Sequence, residues 1–445
     1  MAFIEASLAA GHIGAYAVPF NWRLKPDELQ FLLQDSGAKA VVMEAHLQTS
    51  LASVLPPGLP ILLHDAGKGE EGDWETWIEA FPPLAEPPAT PKETLFYTSG
   101  TTGRPKGVVR LSGDPAKAAN AFALRQSVYG LWPESRALVP GPLYHSAPNS
   151  FALMAARQCE LLVVTPRFDA ESLLGLIERH RITTLLAVPT MLRRLLHLPA
   201  AQRDRHDLSS LSRVVHAAAP CPADVKRGMI AWLGPVVWEF YGGTEAGMMT
   251  QCSSDEWLAR PGTVGRALPG VTLKILDGDR ECPPGEAGEI CIRPAFPDFT
   301  YRNDPGKRAE LDRHGLLATG DIGSLDEDGY LFLRDRKRDM AIVGGVNVYP
   351  AEIEAVIQAI PGVRDCAVFG VPDDDLGEVL LAVVQPADDA PGSTARTEAL
   401  IREGLSGFRR PRYIEFRNDL PRDESGKLFK RLLRDEYWKN HGQRI

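Results

Sequence analysis

The stretch Leu95-Phe-Tyr-Thr-Ser-Gly-Thr-Thr-Gly-Arg-Pro-Lys-Gly107 decides how the chain is read. An apolar run, Leu95 to Tyr97, reads as a short buried strand that empties into glycines and hydroxyls. Gly100 and Gly103 permit positive φ and a close approach of backbone to ligand. Successive N–H groups in such a loop form an anion nest. Thr98, Ser99, Thr101 and Thr102 add neutral donors, and Lys106 adds a positive charge. The plain alternative is a Ser/Thr/Gly turn between two strands. The coincidence of hydroxyls, two glycines and a Pro-Lys-Gly ending weighs against it. Nor is this the common NTPase P-loop, which ends in Gly-Lys-Ser/Thr after four intervening residues. Only two residues separate Gly100 from Gly103, and Gly107 follows the lysine.

The stretch resembles the phosphate loop of the adenylate-forming superfamily: acyl-CoA synthetases, luciferases and the adenylation domains of peptide synthetases. A chain of 445 residues implies two or more domains. Hydrophobic content of 44% and charged content of 24% are those of a soluble globular protein. The net charge is −9 with no basic stripe, which excludes nucleic acid as a partner. No apolar run reaches membrane-spanning length, and Met1-Ala-Phe-Ile-Glu5 lacks the basic start of a signal peptide. A cytoplasmic location is expected. The six cysteines are scattered, with no Cys-x-x-Cys pair, and read as free thiols in a reducing compartment.

Upstream of the loop, residues 2–18 read as a helix running into a strand over Ala15–Val18. A helix follows over Lys25–Ser36, with Gly37 where a C-cap is wanted, then a strand over Ala38–Met43. In the superfamily this opening normally follows some tens of further residues, so the chain is expected to be shortened at its N-terminus. The proline-rich residues 82–91 form a stiff connection into the loop. Downstream, strands are expected over Ala137–Val139, Glu160–Thr165, Thr183–Val188 and Arg213–Ala219. Helices are expected over Asp169–His180, with Asp169 as N-cap, Thr190–His197 and Pro222–Leu233. Repeated βα units mean a parallel, helix-covered sheet, which binds ligands at the carboxyl ends of its strands.

From Thr263 to Arg293, short alternating runs between Gly- and Pro-rich turns point to a smaller antiparallel sheet or barrel. The five consecutive charges Asp335-Arg-Lys-Arg-Asp339 read as a solvated linker. Beyond them lie a Gly-rich hairpin (Ile342–Val348), helices over Pro350–Ala359 and Thr397–Leu405, and strands over Asp365–Phe369, Val379–Val384 and Tyr413–Phe416. The expected class is therefore α/β. Residues 1–334 form a large ATP- and acyl-binding domain of helix-covered, mostly parallel sheets with a small β-barrel-like subdomain. Residues 335–339 are a hinge, and residues 340–445 a small, mobile α+β C-terminal lid.

Joining a carboxylic acid to a thiol needs activation, because a carboxylate is a poor electrophile. Its attack on the α-phosphorus of ATP gives an acyl-AMP and pyrophosphate. No general base is needed, since the acid is already ionised near neutral pH. The protein must position two anions and neutralise the developing charge. Tyr241-Gly-Gly-Thr-Glu245 follows the strand-like Val236–Phe240 and alone would be an ordinary turn. Beside the loop it resembles the superfamily's second signature. The resemblance assigns Tyr241 to adenine, Gly242 to ATP binding, Thr244 to the α-phosphate, and Glu245 with Thr98 to Mg2+.

Ala217-Ala-Ala-Pro220 resembles the Gly-Ala-Ala-Pro strand end that lines the adenine and acyl slot. Ala217 replaces the glycine, with His216 before it. Ala218, Ala219 and Pro220 are carried over to the nucleotide, Ala217 and Gly243 to the acyl group. In Thr319-Gly-Asp321 the carboxylate has two acceptor oxygens for the ribose diol. Arg336 matches an arginine that contacts ribose and phosphate. Arg338 falls at the hinge position, where aspartate or lysine is more usual. Pro421-Arg-Asp-Glu-Ser-Gly-Lys427, followed by Lys430, resembles the last motif and makes Lys427 the adenylation lysine. Pro142-Leu-Tyr-His-Ser146 resembles the motif whose histidine gates the acyl tunnel; His145 fits that role and that of a core histidine equally. Gly344-Gly345 matches the loop that enters the site for thioester formation once the small domain has turned.

The resemblance implies an ATP-dependent, AMP-forming acyl-CoA ligase, nearest the fatty-acid and bile-acid branch, using ATP, Mg2+ and CoA. Ala217, Gly242, Gly243, Met248 and Met249 fit a bulky, hydrophobic carboxylic acid. The alternatives are an enzyme that loads a carrier-protein phosphopantetheine and a non-catalytic nucleotide or acid binder. Lys427, Glu245 and the phosphate loop argue against the latter. A homodimer is left open as the assembly.

Overall fold

Val- and Leu-rich segments bounded by helices build the centre of the fold. The computed structural model describes residues 1–67, 72–84, 91–98, 105–111, 115–387, 392–422 and 428–439. Five strands run parallel in the spatial order Leu161–Val164, Arg136–Val139, Thr184–Ala187, Arg213–His216, Val237–Gly243. Helices Ser146–Gln158, Ala170–His180, Pro189–Leu196 and Ala223–Leu233 lie between them in sequence. Helix Ala170–His180 begins where expected, the Asp169 carboxylate accepting the Ser172 N–H. It buries Leu173, Leu174 and Ile177. Pro222, expected inside the helix before the fifth strand, is instead the N-cap of Ala223–Leu233.

Alternation along the strands divides the interior in two. Val214, Leu185 and Val237 join Met229 and Trp257 on one face. Val215, Val139 and Phe240 join Phe151 and Phe296 on the other. Each fully buried side chain of this kind contributes about 1.5–3 kcal/mol.

At strand Val237–Gly243 the sheet changes sense. Its next neighbour, Gly247–Cys252, is antiparallel, and the sheet continues through Thr263–Ala267, Tyr330–Arg336, Leu316–Leu325, Gly288–Arg293, Thr272–Asp277 and Arg280–Glu281, with Asp312–Arg313 paired beside Leu316–Leu325. The antiparallel region anticipated from the Gly- and Pro-rich turns is thus an extension of the parallel strands within one thirteen-stranded sheet. Within this sheet, parallel pairing is confined to the five strands between residues 136 and 243.

The loop-bearing segment forms its own three-stranded sheet. Phe96–Thr98 pairs with Lys106–Arg110, which pairs with Phe299–Tyr301. The opening helix is shorter than expected, Ala2–His12, and Ala15–Val18 belongs to no strand. That segment instead accepts the Leu95 N–H on the Ala17 carbonyl at 2.9 Å. The second helix, Pro26–Ser36, ends on Gly37 with φ 61°, as read from the sequence. Val41–Glu44 pairs in parallel with Ile61–His64, a strand not anticipated.

The smaller domain is α+β. Its sheet runs Val346–Val348, Ala341–Val343, Gly377–Pro386, Val363–Asp373, with Tyr413–Phe416 parallel to Gly377–Pro386. Helices Pro350–Gln358 and Ser393–Gly404 pack Ile353, Ile357 and Ile401 onto Val368, Leu380 and Val384. A last helix, Lys430–Trp438, was not foreseen. The charged run 335–339 is not wholly a solvated linker. Asp335 and Arg336 end strand Tyr330–Arg336, and the Asp339 and Met340 N–H groups turn back onto the Arg336 carbonyl. The Asp335 carboxylate accepts the Ala351 N–H at 2.8 Å, so the start of the run is anchored to the small domain's first helix.

Candidate active site

Glu245 lies in the three-residue connection between strands Val237–Gly243 and Gly247–Cys252. Tyr241, Gly242 and Gly243 are therefore strand residues, not a turn. Gly242 has a packing reason of its own: a Cβ there would meet the Gly247 carbonyl oxygen at 2.4 Å. The Glu245 carboxylate accepts the Thr98 hydroxyl at 3.0 Å and the Tyr301 hydroxyl at 3.3 Å. Burial and the adjacent Glu245 charge push the Tyr301 phenol well up. Lys106 places its Nζ 5.4 Å from the Tyr301 ring centre. Thr244 and Ser146 hydroxyls are 3.3 Å apart. Thr98, Lys106, Thr244 and Glu245 are thus brought together across three separate stretches of chain.

A second group forms at the other end of the Tyr241–Glu245 segment. The Tyr241 hydroxyl donates to Asp321 at 2.5 Å. Burial raises the Asp321 carboxyl, and burial with the Asp321 charge raises Tyr241 well above a free phenol. Arg336 pairs with Asp321 in the strand register, its Nε 3.7 Å from the carboxylate. A carboxylate that accepts a phenol and faces a guanidinium still has lone pairs for a diol.

The expected strand through Ala219 stops at His216. Ala217 is buried and packs in the same cluster as Phe240 and Met248. Ala218 takes φ +75°, left-handed for a residue with a Cβ, and this ends the strand. Such strain persists where the surroundings impose it, often at sites. Ala219 and Pro220 follow. His145 is the N-cap residue of helix Ser146–Gln158, its ring 4.6 Å from that of Tyr144. Met249, expected at the acyl pocket, faces the other way and packs with Val108 and Ile290.

Gly344 and Gly345 form the tip of the hairpin Ala341–Val343/Val346–Val348, with φ 56° and 80°. The Gly344 N–H donates to Leu376 within the small domain. Arg338 lies beside Asp339, at 3.9 Å, and its carbonyl accepts from Arg434. Ser99, Gly100, Thr101, Thr102, Gly103 and Lys427 lie outside the described residues.

Tyr301, Ser146 and Arg110 were missed. The Arg110 guanidinium donates to the carbonyls of Thr244 (2.5 Å), Glu245 (2.8 Å) and Pro297 (3.1 Å). An arginine closing the run Val108-Val109-Arg110-Leu111 is a charge in apolar company, and that was its signal.

Comparison with known proteins matches residues 1–296 to the AMP-binding enzyme family and residues 352–427 to the AMP-binding enzyme C-terminal domain. The chain belongs to the AMP-binding enzyme family. Among curated relatives of this AMP-binding enzyme, the fatty acid–acyl-carrier-protein ligase ScoC of Streptomyces coeruleorubidus is 33% identical over 100% of this chain and 86% of that protein. The long-chain-fatty-acid–CoA ligase FadD13 of Mycobacterium tuberculosis is 32% identical over 96% of this chain and 84% of its own length. Among solved structures, the amide bond synthetase McbA from Marinactinospora thermotolerans superposes with a TM-score of 0.83 at 31% identity, over 98% of this chain and 87% of that one. ATP-bound MatB from Rhodopseudomonas palustris also gives 0.83, at 30% identity, over 99% and 87%. No helix among the described residues is long and apolar enough to cross a membrane.

Proposed function

We propose that this AMP-binding enzyme is an ATP-dependent, AMP-forming acyl-CoA ligase for a hydrophobic carboxylic acid. The observation that carries the reading is the Thr98–Glu245 hydrogen bond, which ties the hairpin bearing the phosphate loop to the Tyr241–Glu245 segment, whose Tyr241 hydroxyl donates to Asp321. In the adenylation step a carboxylate oxygen forms a bond to the α-phosphorus, and the bond to pyrophosphate breaks; no proton moves. Residues 98–106 cradle the triphosphate, Thr244 donates to the α-phosphate, and Asp321 receives the ribose hydroxyls. Lys427 supplies positive charge where it develops.

Glu245 fits a Mg2+ ligand. Its side-chain partners among the described residues are hydroxyls rather than cations, and Mg2+ favours one or two carboxylates completed by substrate phosphates. Bound there, the ion would neutralise phosphate charge. Met248, Ala217 and Phe240 pack as one apolar wall, with Met248 opposite Gly242 in the strand register, which fits an apolar acyl group. In the second step the CoA sulfur forms the thioester, AMP leaves, and the thiol proton passes to solvent. Residues 335–339 act as the hinge, Arg338 among them, and rotation brings Gly344-Gly345 to the site. We place the enzyme in the cytoplasm, where ATP and CoA are both available.

The test is a screen of carboxylic acids by pyrophosphate release, with hydroxylamine trapping of acyl-AMP and either CoA or a carrier-protein phosphopantetheine as acceptor. Because one relative is a carrier-protein ligase, thioester on the carrier and none on CoA would replace the acceptor and leave the adenylation reading standing. No hydroxamate with any acid would reject adenylation. Lys427→Ala is expected to slow adenylation by about a hundredfold or more while sparing thioester formation from supplied acyl-AMP.

A further inference from the structure

We infer that Arg110 is a positioning residue for adenylation, holding the Thr244–Glu245 segment in register with the phosphate loop. This rests on the reading of Glu245 as the magnesium carboxylate. Arg110 ends the strand Lys106–Arg110, which begins where the phosphate loop finishes. Its guanidinium takes three backbone carbonyls, two of them from consecutive residues of the connection that carries the Thr244 hydroxyl and the Glu245 carboxylate. The third, Pro297, belongs to the segment leading into Phe299–Tyr301, whose Tyr301 also donates to Glu245. One side chain therefore fixes, by their backbones, the elements that converge on the Glu245 carboxylate.

The connection cannot do this alone. Three residues, Thr244 to Ala246, join two antiparallel strands whose register closes at Gly243–Gly247. Their carbonyls have no ladder partner to fix them. A planar fork serves several acceptors at set angles, whereas an ammonium is a point charge on a flexible stem. The neighbourhood is also specialised. Glu93, the carboxylate on this side, is engaged by Arg125 through two contacts of 3.0 Å. Burial lowers the Arg110 guanidinium, and Glu93, Glu245 and Asp298 oppose that effect. Arg110 spends its described hydrogen bonds on carbonyls, so the residues it orients keep their own polar groups for the substrate side.

The experiment measures the Mg2+ dependence of acyl-AMP formation, trapped as hydroxamate, in Arg110→Lys beside Glu245→Gln, with KM for the acid and the melting temperature recorded for each. Removing a group that orients a metal ligand typically costs ten- to a hundredfold in metal affinity. Arg110→Lys should raise the Mg2+ concentration for half-maximal rate by about tenfold and lower kcat by a similar factor. KM for the acid should stay within about twofold, since the acyl wall is untouched. Millimolar guanidinium added to Arg110→Gly should recover part of the rate. Wild-type Mg2+ dependence in Arg110→Lys would overturn the inference, as would a rate loss that follows melting temperature with no shift in Mg2+ demand. If Arg110→Lys does not fold, Arg110→Met carries the same prediction, because it keeps a stem beside the Phe299 ring and loses the donors. Unchanged Mg2+ dependence in Glu245→Gln would instead reject the metal assignment itself, whatever Arg110 does.

Discussion

Among the described residues, Lys226–Glu239 in the large domain and Lys430–Glu354 in the small one are lysine–glutamate pairs drawn into the interior, the first buried and the second partly buried, and their surroundings differ. Lys226, on helix Ala223–Leu233, reaches Glu239 at 2.5 Å under the strand that leads to Tyr241. Both are almost wholly enclosed. Glu239 lies opposite His216 in the strand register, and neither ring nitrogen of His216 has a hydrogen-bond partner among the described residues. Lys430, at the start of the last helix, reaches Glu354 at 2.8 Å. There Glu354 also accepts the Val368 N–H, and the carboxylates of Glu354 and Asp335 hold the Lys430 ammonium above its ordinary range. The first pair joins one helix to one strand inside apolar packing. The second joins two helices, a strand and the start of the hinge. A buried ion pair is poor evidence of net stabilisation, because desolvation offsets the attraction. What the two pairs do share is a high cost of losing one partner.

The largest effect should come from the drier pair. Lys226→Met leaves Glu239 charged or neutralised without its partner, and should cost about 3–5 kcal/mol by denaturant unfolding. Lys226→Met combined with Glu239→Leu should recover most of it. A single variant as stable as the parent would show that Glu239 is already neutral and the pair unimportant. In the small domain, Lys430→Met should cost less, about 2–3 kcal/mol, because Glu354 keeps the Val368 N–H. It should also slow thioester formation more than adenylation, since the pair sits beside Asp335 at the hinge. Equal slowing of both half-reactions would separate this pair from domain movement.

His216 sharpens the contrast through pH. Burial, with Lys226 nearby, lowers its imidazole well below the ordinary value, so the folded chain keeps it neutral. The unfolded chain takes up that proton below about pH 6.5. The unfolded state then binds more protons, and stability falls as pH drops below that point while staying level above it. Burial raises Glu239 and opposes the trend, so the quantity to measure is the difference between parent and His216→Asn. That difference should approach a slope of about 1.4 kcal/mol per pH unit between roughly pH 6 and 5. A flat difference would mean that His216 is protonated inside the fold.

How much of this could be read from the chain depends on range. The βα alternation and the helix at Asp169 were legible because strand period and capping are local. Gly37 was legible for the same reason. Ile61–His64 and the last helix were missed; the former has no alternation to mark it, and the latter carries mostly charged residues. Of the residues named by motif, Thr98 meets Glu245, and Tyr241 and Arg336 meet Asp321, whereas Gly344 and Gly345 stay on the small domain's own hairpin. Tyr301 and Arg110 did not announce themselves, since their partners lie 56 and 135 residues away in sequence. In the sequence Lys430 is only the lysine that follows the last motif, and the fold alone shows it mostly enclosed beside Glu354. Ala218 was expected at the nucleotide and inside a strand over Arg213–Ala219, because nothing in Ala-Ala-Ala-Pro reveals a left-handed backbone.

That residue supplies the smallest prediction and a further point of comparison, because it lies two positions from His216. Ala218 holds φ +75° where an L residue is strained. Glycine removes the strain at the price of a more flexible unfolded chain. Relief of about 1–2 kcal/mol against a flexibility cost of about 0.4–1 leaves a net gain near 0.5–1 kcal/mol for Ala218→Gly. The superfamily resemblance places this residue against the nucleotide, and Ala218 is exposed there. If its strained conformation is imposed by the Lys226–Glu239–His216 cluster below it, Lys226→Met should relax the strand end and erase the gain. If the strain belongs to the local turn alone, Ala218→Gly should stabilise the Lys226→Met protein as much as the parent. Additivity of the two substitutions, within about 0.3–0.5 kcal/mol, therefore decides whether the buried pair reaches the site or merely underlies it.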